Sequence, residues 1–477
     1  MKKLMAALLA GTMILSTAGC GKEKTETADG DNIPTLKLYM TGDQQSDLAS
    51  VMEEFNKIAE KEIGARVDMT LIDSGAFTEK MNMKLATKED FDICFTGYVN
   101  PYETGVKNES YYPLTELINE YAPDLWDKIP EFWWDGVRRN GEIYAVPNQQ
   151  VASTVPSMEV DKKWIEKYNF DIDSVKTWDD FEPFMQKIKE NEPNYYATRP
   201  WSNYWVKNFE KITTAVGIDL REDGLKAIYE WDADGYQHGL DKLREWFEKG
   251  YFRSDVASVM DDNNDYLAGK YVVLGCGWKP GYESYLNTTL GGDHKVVQID
   301  KPYVTSGNVT ATMYAISAYS KHPDKAIKFI ELMNTNIEAY NLLCYGIEGK
   351  HYERLDDNHI RLDKNSGYYS NAAWKFGNQF NAYLLEGQAD DVWEETKKLN
   401  DEAEKSRIIG FVFDSSRVQT ELSQMATVTG EYANYNNGSV NWRDSFEEYK
   451  KKMMNAGAEN VLKEVQRQLD EYAKTNK

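Results

Sequence analysis

The amino-acid sequence predicts an α/β protein of more than one domain that closes in a mainly helical C-terminal portion. Three observations carry this expectation. Strand and helix patterns alternate over residues 35–96, a second α/β region runs from about 148 to 300, and the last third repeats its apolar residues at helical spacing. With 477 residues and domains of about 100–200 residues each, two large or three small domains are expected.

In order along the chain, Thr35–Met40 alternates polar and apolar residues of β-favouring type, which predicts a strand. Ser46 is placed to cap a helix carrying Leu48, Val51, Met52, Phe55, Ile58, Ala59 and Ile63 on one face, with Gly64 as its stop. Arg66–Ile72 reads as a second strand, Ala76–Thr87 as a second helix and Phe91–Thr96 as a third strand. That alternation argues for a parallel sheet covered by helices. Ligands collect at the C-terminal ends of such strands, so the loops that begin at Thr41 and Gly97 are expected to face a cleft. Further on come a helix over Asp161–Tyr168 and another opened by the capping-box pair Thr177 and Asp180. Strands follow at Lys270–Cys276 and Val309–Ala318, then a helix begun by His322-Pro323-Asp324. Val461, Leu462, Val465, Leu469 and Tyr472 form the apolar stripe of a terminal helix.

The N-terminus carries an export signal. Lys2 and Lys3 precede an apolar run from Leu4 to Leu15, and Ser16-Thr17-Ala18-Gly19 supplies small residues before Cys20. The run is shorter than the roughly 20 apolar residues that span a bilayer. Its ending resembles the bacterial lipobox, in which the cysteine is diacylated and becomes the mature N-terminus; Thr17 stands where that motif usually has Leu. Residues 21–32 are polar, hold no large apolar side chain and read as a flexible tether. Residues 1–19 are thus expected to be a signal peptide and 20–32 a lipid anchor with its linker, on the outer face of the cell membrane.

Composition narrows the function. The formal net charge of −23 repels phosphate backbones, which argues against a nucleic-acid partner. Trp and Tyr number 13 and 31 against 17 Phe, and these amphipathic rings suit wet pockets where apolar sugar faces stack. Cys94, Cys276 and Cys344 lack CxxC spacing and lie in apolar runs, as buried hydrophobes do. No HExxH, zinc-type Cys/His cluster, GxSxG, P-loop or GxGxxG occurs. His351 and His359 match no metal-ligand spacing and read as solvated loop residues. Asp261-Asp262-Asn263-Asn264-Asp265 has Tyr266 where a calcium loop needs Gly, so it reads as a helix start. No cofactor, metal or catalytic residue is expected. A glycoside hydrolase needs two opposed carboxylates, and no pair stands out among the 78 acidic residues.

The order of several segments resembles the family 1 extracellular solute-binding proteins of ABC importers, the maltose-binding-protein type. These segments are Leu38-Tyr-Met-Thr-Gly-Asp43, Asp90-Phe-Asp-Ile-Cys-Phe-Thr-Gly97, Tyr112-Pro-Leu-Thr-Glu-Leu117, Asn140-Gly-Glu-Ile-Tyr-Ala-Val-Pro147, Gly269–Trp278 and His322–Met333. Tyr345–Glu353, Phe376–Phe380 and Gly410–Asp414 resemble the C-terminal extension of an LplA/LipO-like subgroup of Gram-positive lipoproteins. The resemblance implies a periplasmic-binding-protein-like type II fold, with two α/β lobes joined by hinge strands that close on a ligand. It places lobe 1 at 33–147 plus 301–335 and lobe 2 at 148–300 plus 336–477. Crossings are expected near Val146–Gln150, Ile299–Tyr303 and Asn334–Tyr340. It further implies a monomer that takes an oligosaccharide and passes it to ABC transporter permease subunits. A polysaccharide-docking lipoprotein without a transporter is the alternative.

Within that frame the candidate ligand-binding residues follow. Trp278 aligns with the family's stacking aromatic, and its Gly-Cys-Gly approach is expected to leave the ring open. Asp43 either accepts sugar hydroxyls or caps the next helix. Tyr98 follows the third strand. Gln149 and Gln150 flank the first hinge, and Arg199 and Trp201 sit on a loop able to stack. Trp374, Phe376 and Asn378 complete the set, while Trp133 and Trp134 read as core.

Overall fold

The computed structural model describes residues 33–475 apart from 202, 203, 222, 260 and 371. The signal segment, Cys20 and the tether lie outside the described residues.

In the first lobe, β1 (Thr35–Thr41), α1 (Leu48–Ile63), β2 (Arg66–Ile72), α2 (Ser74–Ala86) and β3 (Ile93–Gly97) follow one another. β1 buries Leu36, Leu38 and Met40 on alternate positions, and α1 turns Val51, Phe55 and Ala59 onto the sheet. Gly64 ends α1 in the left-handed conformation at φ 61°, where a residue without Cβ costs least. The buried Asn56 joins helix to strand by accepting from the Val67 amide at 2.6 Å and donating to its carbonyl at 3.1 Å. One expectation needs correcting. Asp47, not Ser46, occupies the cap position of α1, and the Ser46 hydroxyl donates to the Gly367 carbonyl at 3.3 Å.

Beyond these come β4 (Ala145–Pro147), β5 (Val155–Asp161), β6 (Val273–Trp278), α3 (Tyr282–Leu290), β7 (His294–Gln298), β8 (Thr312–Ile316), α4 (Pro323–Thr335), α5 (Ile337–Tyr345) and α6 (Ala458–Thr475). The first-lobe sheet runs β2-β1-β3-β8-β4, parallel through the first three strands and antiparallel at β8. In the second lobe β5 lies between β6 and β7, antiparallel to both. The Thr177 box forms, with the Asp180 carboxylate accepting the Thr177 amide at 2.8 Å.

Two buried clusters mark the lobes. Residues from Leu36 to Ala152 and from Val304 to Ala403 share one, while Met158 to Val273 and Ile408 to Leu469 share the other. The core therefore changes hands between 152 and 158, between 299 and 304, and between 403 and 408. This differs from the expected division, which gave 336–403 to the second lobe and a crossing to Asn334–Tyr340. Asn336 ends α4 and caps α5 directly, accepting the Ala339 amide at 2.9 Å, so the chain turns without leaving the lobe. Ala339, Tyr340, Leu343 and Cys344 are then buried in the first cluster. The last third also holds a small sheet of Tyr352–Arg354, His359–Leu362 and Leu384–Leu385, which the helical reading did not include.

His351 corrects a further expectation: it is buried, not solvated. Its Nδ1 accepts the Ile347 amide at 2.8 Å and its Nε2 meets the Asp47 carboxylate at 3.1 Å, which ties the extension to the start of α1. Trp133 and Trp134 are core, as expected.

Candidate functional site

The first-lobe wall grows from the ends of β1 and β3. Gly97 has φ +137°, and a Cβ there would lie 2.1 Å from the Ala311 carbonyl oxygen, so only glycine lets β3 press so closely on the start of β8. The chain then turns out and leaves Tyr98 54% exposed, its amide held by Ala311 at 2.8 Å. The Tyr98 ring stands edge-on to Phe95 and to Trp374, each at 5.7 Å. A cavity of about 160 Å³ opens beside it, lined by Thr41, Asp43, Gln45, Tyr98, Tyr369 and Lys375. The Lys375 ammonium donates to the Thr41 carbonyl at 3.0 Å and lies 5.2 Å from the Trp374 ring. Burial holds this lysine below its ordinary range, partly offset by Asp43. Asp43 is exposed and does not occupy the cap position of α1, which removes its competing role.

The second-lobe wall is the tip of β6 with the start of α3. Trp278 is half-buried, and its indole N–H is shared between the two Glu283 carboxylate oxygens at 3.0 and 3.2 Å. Tyr282 donates its hydroxyl to Glu159 at 3.0 Å and stacks on the exposed Tyr285 at 5.9 Å. Glu159 is 3% exposed, and burial pushes its carboxyl up to about 7. The glycines before Trp278 serve a purpose other than opening the ring. A Cβ on Gly275 would fall 1.2 Å from the Tyr204 hydroxyl oxygen, and one on Gly277 would fall 2.7 Å from Thr154 Oγ1, so both admit neighbours against the strand.

Arg199 and Trp201 line a separate second-lobe cavity of about 370 Å³. The guanidinium pairs with Asp262 at 3.3 Å and lies 5.6 Å from both the Trp201 and Tyr266 rings. Asp262 also accepts the Tyr271 hydroxyl at 2.8 Å.

The remaining candidates are engaged within the chain. Gln149 is buried and its amide faces Asn334 Oδ1 at 3.4 Å, while Gln150 donates to Thr312 Oγ1 at 2.8 Å. Asn378 accepts the Phe380 amide at 3.1 Å, and Phe376 is core. The structure therefore groups Asp43, Tyr98 and Trp374 on one lobe and places Trp278 on the other. Sequence reasoning missed Lys375, Tyr369, Tyr282 and Glu283. Only the closeness of Lys375 to Trp374, and of Glu283 to Trp278, signalled any of them.

Among the described residues, no group of three or more His, Cys, Asp or Glu could hold a metal ion, and no helix is long and apolar enough to cross a membrane. Cys94 and Cys344 are buried free thiols, and burial raises both.

Residues 41–339 match the profile of the bacterial extracellular solute-binding proteins, and residues 407–474 match a domain of unknown function, DUF3502. The chain is 28% identical over 474 residues to a carbohydrate ABC transporter substrate-binding protein of Streptococcus pneumoniae, covering 96% of each. The crystal structure of an N-glycan transport solute-binding protein (NgtS) from S. pneumoniae matches with TM-score 0.84 at 28% identity, over 93% of this chain and 100% of that one. The same protein matches at 0.72 in complex with Man1GlcNAc, over 92% of this chain and 100% of that one. In complex with Man5GlcNAc it matches at 0.69, over 93% and 99%. The two α/β cores and the profile over residues 41–339 agree: the chain belongs to the bacterial extracellular solute-binding protein family.

Proposed function

We propose that this protein captures an oligosaccharide between its lobes and delivers it to the permease of an ABC importer. The observation that carries the reading is the pairing of aromatic faces with polar groups on both walls: Tyr98 and Trp374 beside Asp43 and Lys375, Trp278 beside Glu283. Apolar sugar faces stack on such rings while hydroxyls bond to the polar neighbours. The carbohydrate role of the S. pneumoniae relatives supports the same ligand class. The likeness to NgtS falls from its first structure to its glycan complexes at unchanged identity, which fits lobes that rotate on ligand.

Trp278, Tyr98, Trp374, Asp43, Trp201 and Arg199 are proposed as ligand contacts, with Gln149, Gln150 and Asn378 supporting the hinge region. The protein acts by binding rather than by catalysis, as a monomer, anchored through acylated Cys20 with its lobes outside the cell. Isothermal titration against a panel of oligosaccharides tests the reading. Binding that appears with glycans and not with peptides supports it, and binding of peptides alone refutes it. Labelled palmitate that fails to attach to Cys20 would remove the anchor.

A further inference from the structure

Two half-buried lysines, one beside Trp278 and one in the first-lobe cavity, have no ion pair among the described residues. In a chain with 55 basic and 78 acidic residues, most half-buried cations find carboxylates; Arg139 has Glu103, Lys242 has Glu182 and Glu245, and Arg253 has Asp255 and Asp265. Lys279 does not. It follows Trp278 directly and is half-buried; its carbonyl accepts the Tyr282 amide at 3.0 Å, but its ammonium has no hydrogen bond or ion pair among the described residues. It stands two residues before Gly281, where a Cβ would lie 2.9 Å from Val392 of the other lobe. Ser284 Oγ donates across the same junction to the Gly387 carbonyl at 2.8 Å. Lys279 therefore stands at the seam between lobes. On the first lobe, Lys375 lines the cavity and, among the described residues, its ammonium donates only to the Thr41 carbonyl.

An ammonium drawn out of water without a counter-ion is costly, and burial holds both lysines below their ordinary range. The carboxylates close in sequence form no ion pair with either lysine among the described residues. Glu283 takes the Trp278 indole N–H, Glu159 takes the Tyr282 hydroxyl, and Asp43 is exposed beside Lys375 without reaching ion-pair distance. A ligand carboxylate would restore the missing charge, through a hydrogen bond stronger than a neutral hydroxyl makes.

We infer that the cleft selects an oligosaccharide bearing a carboxylate, with Lys279 at the seam and Lys375 on the facing lobe as the groups that recognise it. This rests on the oligosaccharide reading above and narrows it to acidic sugars. Because Asp43 already offsets Lys375 in part, Lys279 carries the larger share.

The test uses an array of uronic-acid and sialic-acid oligosaccharides, each paired with its methyl ester, together with neutral glycans, followed by titration of the strongest pair. The acid is expected to bind about 10-fold or more tightly than its ester. Lys279→Gln should abolish that preference, with acid and ester binding alike, and Lys375→Gln should reduce the preference by less. Added salt should weaken the acid and not the ester. Equal binding of acids and esters, or binding of neutral glycans alone, overturns this inference and leaves the oligosaccharide reading standing. An array on which no glycan binds overturns both.

Discussion

Replacing Glu159 by glutamine should remove a pH-dependent weakness in the second lobe. Glu159 lies mid-strand in β5, opposite Leu274 on β6 and Val296 on β7, with the Tyr282 hydroxyl as its hydrogen-bond partner. Burial raises its carboxyl from 4.5 to about 7. The sign follows from which form the fold prefers. The folded protein favours the protonated acid, so the stability tied to this group is complete below pH 4.5 and is lost as pH rises through about 7. A displacement of this size corresponds to about 3 kcal/mol between the two limits. Glu159→Gln keeps the shape and the acceptor for Tyr282 but cannot ionise. At pH 8 the variant should be more stable than its parent by up to about 3 kcal/mol, and at pH 4.5 the two should agree within about 1 kcal/mol. Urea unfolding at pH 4.5, 6 and 8 reads this directly. Hydrogen exchange on β5 isolates the second lobe, since two lobes need not unfold together. A stability difference that is the same at all three pH values would refute the reasoning.

Three more outcomes follow from packing and the proposed contacts. Gly275→Val should lower stability by about 1–3 kcal/mol or more, because its Cβ meets the Tyr204 hydroxyl, whose ring stacks on Trp178 at 4.2 Å; an unchanged melting temperature would contradict the packing. Cys94, fully buried and pushed up to about 12, and Cys344 should resist maleimide at neutral pH until urea unfolds the chain; peptide-resolved mass spectrometry shows which thiols react. Trp278→Ala and Tyr98→Ala should each weaken glycan binding by roughly 1–3 kcal/mol with little change in melting temperature, and unaltered titration curves would remove either ring from the site.

Much of the first lobe was legible because its pattern is local. Alternation over Thr35–Met40, helical spacing from Leu48 to Ile63 and a glycine at position 64 each act within a few residues, and the structure reproduces them. A parallel sheet brings the ends of its strands together, and Asp43 and Tyr98, which follow two of them, line one cavity. The lobe assignment of 336–403 was not legible. α5 carries apolar residues that would suit either core, and only Asn336 starting a second helix without an excursion decides which one receives them. The same limit hid the burial of His351, whose partners are Ile347 nearby and Asp47 some 300 residues away in sequence.

By itself the sequence determined the alternation of elements, the apolar face each presents and the aromatic, acidic character of the whole. These depend on residue type and short-range spacing, which the chain carries in one dimension. Only the tertiary structure decided which candidates meet. It set Trp374 against Tyr98, bound Trp278 to Glu283, buried Gln149, and left the Lys279 ammonium unpaired among the described residues. The physical reason is that contact between residues hundreds of positions apart follows from how whole faces pack, and hydrogen-bond partners and desolvation are settled only once that packing exists.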